Sequence, residues 1–234
     1  MTKKTNIYLF GGNSTIGCSI LDGIQDRLGT ENIEVISFFR TEKNIQIPGK
    51  KVKVKDYKDA LEYIKDKEQN DDCKSIFILS FGVLKSDNLS LDFDNFDYHL
   101  KVNTMDPLKI YEFLLKKTNF DEIHIVSSVL ADFIRPSLTS YSLSKFLLSK
   151  MVERSTDSDI EKIKKVFTWK VSFVDSDLNK GRKSILIKTN PKKIRKKVKN
   201  IRSGGIYYIP GYSKVFSILA SKLTPIIKLL DKKN

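Results

Sequence analysis

The stretch SYSLSKFLL, residues 140 to 148, sets Tyr141 and Lys145 one helical turn apart. Residues i and i+4 lie on one face of an α-helix, so the two side chains can serve the same small volume. A phenol has a reference pKa of about 10 and becomes a usable acid or base when a neighbouring ammonium favours its phenolate. The same spacing suits a solvated surface pair, so the rest of the chain has to decide. Ser128, in IVSSVLAD, precedes Tyr141 by thirteen residues and could hydrogen-bond a substrate oxygen or merely cap a strand. Asn103, in KVNTMDP, is a polar residue within a helical pattern, where a kink or a packing role is as ordinary as chemistry.

A second group of residues suits phosphate. FGGNSTIG follows an apolar run and opens a helix, with Gly11 and Gly17 flanking small side chains. Glycine lets the backbone turn sharply and approach a pyrophosphate, while the N–H groups of the helix start favour an anion. A plain tight strand-helix connection would read the same way, since the motif departs from G-x-G-x-x-G. Arg40 closes ISFFR, where a guanidinium could grip a ribose phosphate or simply lie on the surface. Asp56 closes KVKVKD and could accept an adenine amino group or cap a helix. Ser80, Phe81 and Gly82 form a small-residue turn that could let a ribose lie close to the backbone.

Positioning such residues takes alternating elements, and the chain supplies them. Short β-rich runs (NIYLF, IEVISFF, KVKV, SIFILS, EIHIVSS, VFTWKVSFV, GIYYIP) alternate with helical patterns, among them YKDALEYIKDK, a long helix near residues 93 to 117 and the segment holding Tyr141. Strand and helix in turn imply right-handed crossovers. The expected fold is α/β: a doubly wound, mostly parallel sheet of Rossmann type, with helices on both faces, in one domain. Ligands in such sheets sit beyond the carboxyl ends of the strands, where the residues above fall. The chain has 234 residues, enough for a substantial core. Cys18 and Cys73 form no CxxC, and the N-terminal apolar run is too short for a signal peptide, so a reducing, cytoplasmic setting is expected. With His99 and His124 the only histidines and no cysteine cluster, metal chemistry has few ligands to use.

Taken together these residues resemble the short-chain dehydrogenase/reductase family, over about residues 5 to 211. The resemblance places the family's Gly-rich turn on Gly11, Thr15 and Gly17, with threonine for the middle glycine. It places the active-site asparagine, serine, tyrosine and lysine on Asn103, Ser128, Tyr141 and Lys145. It implies a nicotinamide cofactor against Gly11, Asn13, Ser14, Thr15, Ile16, Gly17, Arg40, Asp56, Tyr57, Ser80, Phe81, Gly82, Tyr141, Lys145, Val174 and Ser176. Arg40 stands where members preferring NADPH carry arginine, so NADPH is expected over NADH. SFVDSDL resembles the family's Pro-Gly-x-Val-x-Thr segment, with Val171, Ser172 and Ser176 as departures. GGNSTIG, SFGVL and the ending GIYYIPGYSKVFSILASKLTPIIKLL are similar to the decaprenylphosphoryl-keto-pentose reductase subgroup. That narrower likeness implies reduction of a keto-sugar, lipid-linked or nucleotide-linked, for surface polysaccharide, with a flavoprotein oxidase as partner. A ketoacyl or other small-carbonyl reductase shares the same four residues, and an idle nucleotide-binding scaffold or redox sensor would keep the fold. A homo-oligomer is expected.

The formal net charge of +14 sits at one end. Sixteen of the 42 Lys and Arg but one of the 28 acids follow Leu178, so residues 179 to 234 carry +15 and the remainder about −1. Residues 212 to 234 read as a basic amphipathic extension, interrupted by Lys214, Lys222, Pro225 and Lys228 and therefore unsuited to spanning a bilayer. Lying on an anionic inner membrane face and packing on the sheet or a second subunit both suit it. Nucleic acid is disfavoured by the lack of interleaved aromatics.

Overall fold

The computed structural model describes residues 3–41, 47–68, 73–87, 92–116, 120–156, 165–176, 179 and 188–222. β1 (Thr5–Phe10) is buried along its whole length, as expected of a strand covered on both faces. α1 (Thr15–Leu28) follows, then β2 (Ile33–Phe39), β3 (Lys50–Lys53), α2 (Tyr57–Glu68) and β4 (Lys74–Leu79). After α3 (Phe93–Leu100) and α4 (Asp106–Lys116) come β5 (Glu122–Ser128), α5 (Thr139–Thr156) and β6 (Val166–Val171). α6 (Pro191–Asn200), β7 (Gly205–Ile209) and α7 (Ser213–Lys222) complete the order. The seven strands form one sheet in the order β3-β2-β1-β4-β5-β6-β7, and every pairing is parallel. The strand order reverses between β1 and β4, so the turns that follow those two strands flank the natural ligand crevice.

Side-chain alternation divides the core between the two faces. Tyr8, Phe10, Phe38 and Phe77 face α2, α4 and α5, with Tyr8 stacked between Phe38 and Phe77 at 6.4 and 5.0 Å. Ile7, Leu9 and Trp169 face α1 and α6.

Two elements differ from the sequence reading. The long helix expected at 93 to 117 is broken by a π-turn, Lys101–Met105, between α3 and α4. Such turns are rare and widen the helix locally, which here rotates Asn103 into the interior. The basic run KTNPKKIRKKVKN, counted above only for its charge, forms a packed helix. Asn190 caps α6 by accepting from Lys192 N, Pro191 opens it, and Ile194 and Val198 are buried against α1. The two helices meet at Gly23, where a Cβ would stand 2.7 Å from Arg195 O and from Val198 Cβ. Arg195 then forks onto both oxygens of Asp26, each at 2.7 Å.

Candidate active site

The phosphate side of the site is defined by space. Gly11 has φ +87°, and a Cβ there would stand 3.0 Å from Phe81 N. Gly17 is tighter still, since its Cβ would lie 2.1 Å from Ser80 Oγ and 3.0 Å from Leu9 Cδ1. The turn after β1 and the turn after β4 therefore approach at distances only glycine permits. Ser14 caps α1 by accepting from Gly17 N at 3.1 Å. Thr15 and Ile16 open the helix, and their N–H groups are among the orphan donors of any helix start. Asn13 donates from Nδ2 to Thr41 O at 2.8 Å, while its Oδ1 is buried without a partner among the described residues. An open cradle of glycines, helix-start donors and one spare buried acceptor fits the diphosphate and ribose hydroxyls of a dinucleotide.

The flank of this cradle is aromatic. Tyr57 is buried and stacks on Phe81 with centroids 4.1 Å apart, and burial pushes its phenol up to about 12. Arg40, exposed just past β2, lies over the Tyr57 ring at 5.2 Å. Asp56 Oδ1 accepts from Lys58 N at 2.7 Å and so caps α2, with its carboxylate on the surface. Ser80 Oγ donates to Phe10 O at 3.2 Å. Val174 and Ser176 follow β6. Val174 is bridged to Thr189, and Val174 O accepts from Asn179 Nδ2 at 2.9 Å. No hydrogen bond among the described residues joins either to the glycine turn or to Tyr141.

The chemical side is defined by buried polar groups. Two of the four residues singled out by type meet beside Gly82, where a Cβ would stand 3.0 Å from Asn103 Oδ1 and 3.5 Å from Lys145 Nζ, and the other two, Ser128 and Tyr141, are joined by a hydrogen bond. Lys145 is only 4% exposed, and its Nζ donates to Val126 O at 3.3 Å. Burial pushes its pKa down to about 8. Burial also raises the Tyr141 phenol, and a hydrogen bond with Ser128 draws it partly back. This corrects the expectation that the ammonium lowers the phenol: in this structure Ser128 does so, and Lys145 turns to a carbonyl. Asn103 uses its whole amide. Oδ1 accepts from Val83 N at 2.8 Å, and Nδ2 donates to Val83 O at 3.0 Å and to Ser144 Oγ at 3.1 Å. Its side chain thus ties the strap after Gly82 to the turn of α5 that carries Lys145.

Three supports were not read from the sequence. Asp87 is buried, accepting from Ser140 N (2.9 Å), Ser140 Oγ (2.5 Å) and Asn95 Nδ2 (2.8 Å), so the start of α5 is clamped one residue before Tyr141. His99, edge-on to Tyr141 at 6.2 Å, accepts from Lys85 N at Nε2 and meets Asn95 O at Nδ1, which assigns the proton to Nδ1. Lys170, buried in β6, bonds Asp132 Oδ1 at 2.5 Å and reaches Tyr208 Oη at 3.4 Å. Asp132 ends the short turn in which Leu130 N donates to Ser128 Oγ at 3.2 Å, so Lys170 fixes the segment presenting Ser128. A lone lysine in the apolar run VFTWKV was the available signal.

No family model matches this chain, and no curated protein does. Solved structures do. The chain is similar to a short-chain dehydrogenase from Burkholderia cenocepacia in complex with NADP (15% identity, TM-score 0.70, covering 96% of this chain and 95% of that one). It is similar to a 3-oxoacyl-[acyl-carrier protein] reductase from Brucella melitensis in complex with NAD (14%, 0.67, 92% and 98%). A gluconate 5-dehydrogenase from Burkholderia cenocepacia, in complex with NADP and tartrate, matches likewise (11%, 0.68, 92% and 96%). At these identities the likeness establishes the architecture: this chain has the fold of the short-chain dehydrogenases.

Proposed function

We propose that the protein is an NADPH-dependent oxidoreductase of the short-chain dehydrogenase type, reducing the carbonyl of a keto-sugar carried on a polyprenyl phosphate or a nucleotide. The observation that carries the reductase reading is the pairing of two buried groups, Tyr141 hydrogen-bonded to Ser128 and, one turn along α5, Lys145 beside Asn103 at the space left by Gly82. A phenol raised by burial stays protonated at neutral pH, which suits donation to a carbonyl oxygen. When bound, the cofactor supplies hydride to the carbonyl carbon. Tyr141 gives its proton to the oxygen as charge builds there, and Ser128 hydrogen-bonds the same oxygen. Ser128 also stabilises the phenolate left behind, and Lys145, mostly protonated below its pKa of about 8, would offer donors to a ribose. Asn103 holds the strap and α5 in register. Gly11 and Gly17 would admit the diphosphate to the N–H groups that open α1, Asn13 Oδ1 would accept from a ribose hydroxyl, and Arg40 would hold an additional ribose phosphate.

The sugar reading draws on the subgroup likeness of GGNSTIG and SFGVL, and on the similarity to a gluconate 5-dehydrogenase. An acyl substrate is the second reading, favoured by the apolar wall of Leu130, Phe133 and Leu138 beside Tyr141. NADPH consumption measured with keto-sugar nucleotides, polyprenyl-linked keto-sugars and acetoacetyl thioesters separates the two. Tyr141→Phe should lose turnover by about 10² to 10⁴-fold and bind NADPH as before. A wild-type protein that binds NADPH and reduces none of these carbonyls would leave a nucleotide-binding scaffold standing instead.

A further inference from the structure

α7 is built inside out. It turns Ser213, Ser217 and Ala220 inward, and Phe216 meets Phe133 edge-on at 6.0 Å within the cluster that includes Tyr141. Its outer side carries Val215, Ile218 and Leu219, which are 61, 50 and 53% exposed. Positions i, i+3 and i+4 form one stripe, and Tyr212, also exposed, extends it at the start. A surface helix ordinarily does the reverse. α6 does so, burying Ile194 and Val198 towards α1 and exposing its lysines. The apolar outer stripe therefore calls for a cover.

Charge selects the cover. Lys214 and Lys222 bracket the stripe, both are exposed, and SKVFSILASK contains no acid. A two-fold contact between two copies would set this patch against itself, cation against cation. An anionic lipid surface matches both features at once, accepting the aliphatic side chains below its phosphates and the ammonium groups among them. Among the described residues no helix is long and apolar enough to cross a membrane, so the contact lies in the interface.

We propose that the outer face of α7 seats on an anionic membrane, Val215, Ile218 and Leu219 entering the headgroup boundary with Lys214 and Lys222 at phosphate level. The inner side of α7 shares a cluster with Tyr141, so the lipid surface would lie on the far side of α7 from that cluster. An amphiphilic carbonyl substrate could then enter from that surface; this consequence alone rests on the reductase reading.

The test is sedimentation of the full chain with vesicles of phosphatidylglycerol and phosphatidylcholine, compared with phosphatidylcholine alone. The wild type should bind the anionic vesicles, more weakly as salt rises, because screening shortens from about 8 Å at 0.15 M to about 3 Å at 1 M. V215E/I218E/L219E should cut the partition coefficient at least about tenfold with NADPH affinity unchanged, and K214E/K222E should remove most of the salt dependence. A wild type that ignores anionic vesicles, or a triple variant that binds them equally, overturns the proposal. So would a dimeric wild type that becomes monomeric in the triple variant without binding vesicles, since a second copy would then be the cover. A large loss of Tm in the triple variant, with no vesicle binding by the wild type, would place the cover within the chain. Vesicle binding requires no turnover, so none of these failures touches the reductase reading.

Discussion

The two halves of the site are built by different physics. Around β1, β2 and β4 it is shaped by what is missing: Cβ atoms at Gly11 and Gly17 would collide, and aromatic rings fill the space behind them. Around β5, β6 and α5 it is shaped by buried polar groups, Asp87 on Ser140, Asn103 on Val83 and Ser144, Lys170 on Asp132. Shape fails by steric conflict, which lowers stability and nucleotide affinity together. Buried charge is costly to the fold, so its removal can stabilise the protein while ending its chemistry.

Lys145→Met should show that separation most strongly. The pKa depression from 10.5 to about 8, at about 1.4 kcal/mol per unit, makes burial of this ammonium cost on the order of 3 kcal/mol. Methionine keeps the apolar stem and drops the charge. Carbonyl reduction should fall by about 10² to 10⁴-fold while the urea midpoint at pH 7 rises. Because the folded-state pKa is depressed, the wild type should gain stability as pH climbs from about 8 towards 10.5, and the variant should lack that gain. A variant that is both inactive and less stable would make Lys145 a structural residue.

The nucleotide half should respond in affinity. Arg40→Asp removes a charge-assisted partner for a ribose phosphate and adds repulsion, so NADPH should weaken by about 10²-fold and NADH by no more than about threefold, read by titration. Equal losses would show that Arg40 does not read that phosphate. Gly17→Ala sets two effects against each other. Alanine gains up to about 1 kcal/mol in a helix interior, but overpacking typically costs about 1–3 kcal/mol. With Ser80 Oγ 2.1 Å and Ser80 Cβ 2.9 Å from the new carbon, the clash should win. Tm and NADPH affinity should drop together, and a second change, Ser80→Gly, should restore part of both.

How much of this was legible in the sequence follows the same divide. The glycine turn and the order Ser128, Tyr141, Lys145 are local patterns, and each strand carried its β-rich run. The supports are long-range. Asp87 lies in LKSDN, which reads as a solvated loop, and becomes buried because Ser140, 53 positions later, folds onto it. Lys170 meets Asp132 across 38 positions. The π-turn at Asn103 depends on α5 offering Ser144 as a partner. α6 hid for a different reason: its Asn190 cap and its Ile194/Val198 spacing were in the sequence but outweighed by the surrounding charge.

The smallest effect sharpens the contrast through pH. Both histidines belong to the polar half around β5, β6 and α5, His99 on α3 and His124 on β5, and the half around β1, β2 and β4 has none. Burial lowers the pKa of each. For His99, Asp87 favours protonation while Lys85 and Lys145 oppose it; for His124, Glu122 favours it and Arg27 opposes it. Trp169 Nε1 donates to His124 Nδ1 at 3.0 Å and Lys85 N to His99 Nε2 at 3.1 Å, so a second proton on either ring would displace a bond to it. With depressed folded-state values, the unfolded chain binds more protons once pH falls below about 6.5, and stability declines from there by at most about 1.4 kcal/mol per pH unit for each histidine. Hydrogen exchange between pH 7.5 and 5.5, corrected for intrinsic rates, should therefore lose protection first at residues 83–87 and at the β5–β6 pairing, with β1 and β2 holding longer. Uniform loss across the sheet would mean that the two halves unfold as one unit and that the histidines do not set the acid limit.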